Sequence, residues 1–194
     1  MVNSKDSGSG RRIPANFSLV YSHEAIAARV KELGQEVSAW CESVWRESRT
    51  DILVVPVLRG GMLFFADLVR EIAAPVEVSS LRARCEKLSF KPGEKPTVEL
   101  DLSDLSVKGR VVLVIDDICD SGRTLENLEA TLEKAGAREV RTAVLLRRLL
   151  TTPSFVPCWV GLQYGGSEWL VGYGMDENER WRNLPGVYAI KKEQ

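Results

Sequence analysis

Between residues 22 and 40, Ile26, Val30, Leu33 and Val37 recur every three or four positions. That spacing predicts a helix packed along one stripe against a core. Ser22 stands ready to cap it, and Glu24 lies in the first turn, where the helix dipole favours an anion. His23, beside the cap, reads as a surface or capping residue. Ile52 to Val57 is a short apolar, β-branched run and predicts a buried strand. Leu58-Arg59-Gly60-Gly61 follows as a glycine turn, and Phe64, Phe65, Leu68, Val69 and Ile72 return to helical spacing. Pro75 to Ser79 reads as a further strand. Arg82 to Pro96, with charges, Pro and Gly, reads as a mobile excursion, and Thr97 to Leu102 alternates like an edge strand.

Lys108-Gly109 marks a turn before Val111 to Ile115, a run apolar on both faces. Strands of this kind belong to the interior of parallel sheets covered by helices. A polar loop, Asp116 to Thr124, leads to a helix with Leu125, Leu128 and Leu132 inward and Gly136 at its end. Val140 to Leu146 completes a strand–helix–strand unit. Tryptophan-bearing strands near Cys158 to Gln163 and Glu168 to Tyr173 precede a charged, irregular tail. The expected fold is α/β: a single domain, residues 16–194, built on a parallel sheet with helices on both faces. Met1 to Arg12 is polar and rich in Ser and Gly, and a disordered arm is expected over residues 1–15.

Composition narrows the partners. The chain has 194 residues, 44% hydrophobic and 27% charged, and a net charge of −1. Without a global basic field it does not recruit nucleic acid or an acidic membrane, so any phosphate binding has to be local. Cys41, Cys85, Cys119 and Cys158 are scattered, with no metal or redox spacing, which fits a reduced cytoplasmic setting. A lone histidine disfavours His-cluster metal sites and a His-based triad. No apolar run approaches the ~20 residues of a membrane helix.

The chemistry concentrates in residues 111 to 124, Val-Val-Leu-Val-Ile-Asp-Asp-Ile-Cys-Asp-Ser-Gly-Arg-Thr. In open parallel sheets ligands bind beyond the carboxyl ends of strands, where this loop sits. Gly122 lets backbone N–H groups curl round an anion, the following helix adds unpaired N–H groups, and Ser121 and Thr124 add hydroxyls. This is neither a P-loop nor a dinucleotide fingerprint. Carboxylates are poor phosphate partners, so Asp116 and Asp117 suit the vicinal hydroxyls of a ribose. A phosphate cradle beside a diol clamp points to ribose 5-phosphate. The plainer alternative is an acidic loop that holds Mg²⁺ with no sugar.

The same segment resembles the phosphoribosyl-pyrophosphate signature of type I phosphoribosyltransferases. Leu58-Arg59-Gly60-Gly61, and Glu168 to Asp176 followed by Arg182-Asn183-Leu184, are similar to the hypoxanthine–guanine branch. The resemblance implies a small hood formed by the N- and C-terminal segments, and transfer of a phosphoribosyl group to a 6-oxopurine. It implies that Asp116 and Asp117 hold the ribose hydroxyls, directly or through Mg²⁺, with Asp176 as a further ligand. Asp120 through Thr124, including Ser121, Gly122 and Arg123, would hold the 5′-phosphate. Asp120 would be the general acid–base at N7, with turn initiation as its bland alternative. Arg59, Gly60 and Arg182 would serve pyrophosphate, Trp169 would stack on the purine, and Leu170 would bond its edge through the backbone. The resemblance also implies a homodimer or homotetramer.

Three departures stand out. Arg147 falls where the family has a lysine that donates to O6, with Arg148 as the alternate occupant. Ser80-Leu81 replaces the flap's Ser-Tyr, and Asp116 replaces a frequent Glu. Other functions on the same fold are transfer to a different base, a xanthine preference, or a nucleotide-sensing regulator. A phosphoribosyl-pyrophosphate synthetase subunit is disfavoured by length and by the lack of an ATP motif.

Overall fold

Strand β1 (Phe17–Tyr21) turns at Ser22 into helix α1 (His23–Ser48), and the Ser22 hydroxyl accepts from the Ala25 N–H at 3.3 Å. There follow β2 (Ile52–Pro56), α2 (Met62–Glu71), β3 (Val76–Val78), β4 (Arg82–Arg84), β5 (Glu99–Asp101), β6 (Val111–Cys119) and α3 (Arg123–Lys134). The chain closes with β7 (Glu139–Arg148), β8 (Trp159–Tyr164), β9 (Trp169–Val171) and β10 (Val187–Ile190). This computed structural model describes residues 13–79, 82–84, 99–101, 106–149 and 154–191.

Five strands form a parallel sheet in the order β3-β2-β6-β7-β8. Alternation along β2 and β6 sends side chains to both faces, and each face is covered. Ile52, Val54, Leu113 and Ile115 pack with the α1 residues Ile26, Val30, Leu33 and Val37 and with Phe64 and Leu68 of α2. Leu53, Val55, Val112 and Val114 pack with Leu125, Leu128 and Leu132 of α3. Each fully buried Leu or Ile side chain stabilises the fold by roughly 1.5–3 kcal/mol. Helices on both faces of a parallel sheet were expected, and the apolar character of Val111 to Ile115 on both faces is the reason.

Some expected boundaries move. Asp116 and Asp117, expected in a loop, are still strand, because β7 keeps pairing with β6 as far as Cys119↔Arg147 after β2 stops at Pro56↔Ile115. The tail, expected to be irregular, contains β10, which sits between β1 and β9 in an antiparallel sheet. That sheet is the hood. Neither β1 nor β10 shows a long alternating run, and burial in the hood decides them: Val171, Leu184 and Tyr188 cluster there with Phe17 and Trp181. Ile13, expected within the arm, packs on the same cluster, while residues 1–12 lie outside the described residues. Within the expected excursion, Arg82–Arg84 is a strand, and its partner is Glu99–Asp101 in a separate two-stranded ribbon. Ser80, Leu81 and residues 85–98 lie outside the described residues. No helix among the described residues is long and apolar enough to cross a membrane.

The two helices on the α1 face meet closely at Gly34. A Cβ there would lie 2.7 Å from the carbonyl oxygen of Glu71. Ser38, one turn on, ties the same contact by accepting from the Ala73 N–H at 2.9 Å. Alanine ordinarily favours an exposed helix over glycine by ~1 kcal/mol. Here the order should invert: Gly34→Ala is expected to lower unfolding free energy by about 1–3 kcal/mol. Urea denaturation reads this as a lower midpoint at unchanged slope, and a raised midpoint would show that α1 and α2 separate freely.

Candidate active site

The sheet changes direction between β2 and β6. From β2 the chain crosses by α2 to β3 on one side, and from β6 it crosses by α3 to β7 on the other. A crevice at such a switch point, beyond the carboxyl strand ends, is where open α/β sheets bind ligands. Two loops meet there: Val57 to Gly61, containing a cis peptide at Leu58–Arg59, and Asp120 to Gly122.

The end of β6 carries the acids. Asp116 is 7% exposed, and its Oδ1 accepts from the Asp117 N–H at 2.9 Å. Asp117 Oδ1 accepts in turn from the Ile118 N–H at 2.8 Å. Burial, and then repulsion from Asp117, push the Asp116 carboxyl well above the ordinary range. Burial also raises Asp117, against hydrogen bonds and the nearby Arg182 guanidinium. Two desolvated carboxylates side by side suit a ligand that brings positive charge or hydroxyl donors. Gly60 closes on them, since a Cβ there would come 2.7 Å from Asp117 Cγ.

Next in sequence comes the anion cradle. Helix α3 begins after Gly122, which has φ +85° and supplies no side-chain cap. Its first-turn N–H groups have no intrahelical partners, and the dipole's positive end adds to them. Arg123 N–H reaches Ser121 Oγ only at a long 3.5 Å. Ser121, Arg123 and Thr124 are exposed at this end. Gly122 is pressed under Phe155, whose carbonyl oxygen would meet a Cβ at 2.7 Å.

A cavity of about 110 Å³ opens beside the cradle, lined by Asp117, Ile118, Asp120, Arg148, Trp169, Leu170, Met175 and Asp176. Five residues expected from the sequence therefore gather here: Asp117, Asp120, Trp169, Leu170 and Asp176. Trp169 is 62% exposed and donates its indole N–H to the Asp176 carbonyl at 2.7 Å, so it is a wall of the opening and not a core residue. The arginine at the cavity is Arg148, not Arg147. Strand alternation explains this, because Arg148 shares the face of Leu146, which pairs with the cavity residue Ile118. Arg147 pairs opposite Cys119, and its buried Nε finds no partner among the described residues.

Arg182 forms an ion pair with Asp176 Oδ1 at 2.7 Å and donates to the Gly174 carbonyl at 2.7 Å. Glu179 links the two expected pyrophosphate arginines, at 2.6 Å from Arg59 and 3.2 Å from Arg182. Its own N–H donates to Asp176 Oδ2 at 2.8 Å. Sequence reasoning missed Glu179, Ile118 and Met175. Continuing the strand's alternation past Ile115 would have found Ile118, and charge balance between Asp176 and Arg182 would have flagged Glu179. Among the described residues no three acidic, His or Cys side chains gather as a metal cage, so oxygens of a bound ligand would have to complete any coordination.

Comparison with known proteins gives this geometry a family. Residues 22–178 match the phosphoribosyl transferase domain. The chain is 32% identical over 177 residues to hypoxanthine-guanine phosphoribosyltransferase of Mycobacterium bovis, covering 89% of this chain and 85% of that one. It is 34% identical over 172 residues to hypoxanthine phosphoribosyltransferase of Salmonella typhimurium, covering 85% and 90%. A solved hypoxanthine-guanine phosphoribosyltransferase of Bacillus anthracis superposes with a TM-score of 0.70 at 28% identity, covering 89% of this chain and 96% of that one.

The buried acid pair makes a testable demand on stability. The folded Asp116 carboxyl holds its proton more tightly than the unfolded one, so ionising it costs the folded state. That cost is absent below the unfolded pKa of ~3.9, grows as pH rises and is complete above the folded pKa. Asp116→Asn should therefore raise the thermal midpoint of the unliganded protein at pH 7 by about 2–4 °C or more, equivalent to about 1 kcal/mol. The gain should shrink as pH falls towards ~4. A gain independent of pH, followed by differential scanning calorimetry, would rule out the titration as its cause.

Proposed function

The chain belongs to the phosphoribosyltransferase family, and from that premise we propose a purine salvage enzyme that transfers the 5-phosphoribosyl group of phosphoribosyl pyrophosphate to a 6-oxopurine. The products are a nucleoside 5′-monophosphate and pyrophosphate. One observation carries the reading: the uncapped start of α3 lies one short loop beyond a strand end that carries a buried and a half-buried carboxylate side by side. A terminal phosphate fits the first feature, and a ribose diol fits the second.

In this proposal Ser121, Gly122, Arg123 and Thr124 hold the 5′-phosphate, and Asp116 and Asp117 hold the ribose hydroxyls. The base lies in the cavity between Ile118 and Trp169, with the backbone of Leu170 at its edge. Arg148 takes the role first assigned to Arg147. Its guanidinium donates to the 6-oxo group and opposes the amino group of adenine, the same logic by which arginine reads the acceptors of guanine. Purine N9 attacks C1′, the C1′–O bond to pyrophosphate breaks, and the bonding pair leaves with pyrophosphate. Asp120 takes the N7 proton as N9 attacks. Arg59, Gly60 and Arg182 stabilise charge on the departing pyrophosphate.

Mg²⁺ fits the donors present. The desolvated pair Asp116 and Asp117 lacks a full complement of cations, and Asp176 lines the same cavity as Asp117. These carboxylates would hold it only together with oxygens of bound phosphoribosyl pyrophosphate, since among the described residues the three do not gather into a cage, and the ion would supply charge neutralisation of the leaving group. A homodimeric or homotetrameric assembly and a cytoplasmic setting complete the proposal, and the family resemblance supports both.

The test is a substrate panel: phosphoribosyl pyrophosphate and Mg²⁺ with hypoxanthine, guanine, xanthine, adenine, orotate or uracil. Turnover is expected with at least one 6-oxopurine, and little with adenine. A pyrimidine preference would overturn the base assignment. Asp120→Asn should lower kcat by about 10²–10⁴ while leaving phosphoribosyl pyrophosphate affinity within a few-fold. Equal losses in both would make Asp120 structural.

A further inference from the structure

Arg148 does not hang free at the cavity. Its Nη1 donates to the Gly166 carbonyl at 2.7 Å and to the Glu168 carbonyl at 3.1 Å, and its Nε donates to the Asp120 carboxylate. Its guanidinium lies 5.5 Å from the centroid of the Tyr164 ring, and its side chain is 11% exposed. Nη2 finds no partner among the described residues, although Arg148 lines the cavity. One planar group is thus fixed on three sides, and the fourth is left to donate.

The Tyr164–Glu168 turn that does the fixing is itself tied. Tyr164 Oη donates to Glu168 Oε2 at 2.7 Å, which sets the ring's orientation. Gly166 lies against the ring so closely that a Cβ would come 2.6 Å from Tyr164 Cζ. A Cβ there would make the hydroxyl end of the Tyr164 ring and the Glu168 carboxylate shift, so glycine lets the turn present its carbonyl to Arg148 with the ring in place.

We propose that Tyr164 is the positioning residue for Arg148, and that its ring face therefore sets how sharply the cavity distinguishes an oxo from an amino substituent on the purine. The inference rests on the proposed function, since it assumes a purine in the cavity. A guanidinium needs its plane fixed to aim one N–H pair, and an aromatic face beneath it supplies that constraint. An ammonium has no plane to fix, so the ring's influence requires arginine. Burial, and then Glu168, push the Tyr164 phenol up to about 12, so it stays a neutral donor through the physiological range.

The experiment compares the full-length protein with Tyr164→Leu, Tyr164→Phe, Gly166→Ala, Arg148→Lys and the Tyr164→Leu/Arg148→Lys double variant. Calorimetry gives the Kd of inosine monophosphate and of adenosine monophosphate, and steady-state kinetics give KM for hypoxanthine and for phosphoribosyl pyrophosphate. Tyr164→Leu is expected to narrow the inosine-to-adenosine preference about tenfold and to raise KM for hypoxanthine alike, leaving KM for phosphoribosyl pyrophosphate within about twofold. Tyr164→Phe, which keeps the ring, should stay within about threefold of wild type. In the Arg148→Lys background the leucine change should add less than about twofold. Should Tyr164→Leu fail to fold, Gly166→Ala, which displaces the ring through a surface turn, should narrow the preference about fivefold. A folded Tyr164→Leu, or failing it Gly166→Ala, that keeps the full wild-type preference would overturn the positioning role, as would an equal effect of the leucine change with lysine at 148. A wild-type protein that binds both nucleotides equally would instead overturn the base assignment, and the inference with it.

Discussion

Two adjacent carboxylates, one buried and one half-buried at the cavity, stand at the end of a strand that is paired on only one side, and the rest of the site is arranged around that fact. β7 holds β6 straight as far as Cys119, while β2 turns away after Pro56. The gap that opens admits Gly60 against Asp117. Had β2 stayed in register, its hydrogen bonds would fill the space beside Asp117. The apolar layers on both sheet faces make this affordable, since each isolates the strand end from water and supplies the stability that the acids remove.

The central layer was legible because its physics is local and redundant. Val111 to Ile115 is apolar on both faces, and Leu125, Leu128 and Leu132 repeat at helical spacing, so the strand and its crossover helix declare themselves. The hood was not. β1 and β10 are short, and β1 becomes a strand only through pairing with β10, more than 160 positions away, a contact that no window along the chain reports. The acids and the cradle were read from their motif, but the end of the strand was placed too early. Polar side chains at Asp116 and Asp117 suggested a loop, whereas pairing with β7 continues regardless of side-chain polarity.

The arginines show where spacing along the chain stops being informative. Arg147 and Arg148 are neighbours in sequence, yet strand alternation gives Arg148 the cavity and turns Arg147 to the other face, where its Nε is buried. A shift of one residue decides which reaches a ligand, and only the register with Cys119 and Gln163 resolves it. Glu179 is a second case. It gains its meaning from Arg59, 120 positions away, because it joins the glycine loop after β2 to the segment that carries Asp176 and Arg182. The two halves of the expected leaving-group site are thus already neighbours, held by a shared internal anion.

The hood's pairing order has a consequence for the life of the chain on the ribosome. The wall formed by Trp169 and Leu170 belongs to β9, and the strand that steadies it is β10, through Ile190 and Ala189. The parallel sheet can assemble once β8 has emerged, yet this wall of the cavity lacks the β10 side of its pairing until residues 187 to 190 follow. A nascent chain stalled before residue 187 would carry acids and cradle with one side of the pocket unsupported. Translation therefore completes the parallel sheet before it supplies the strand that steadies the cavity wall.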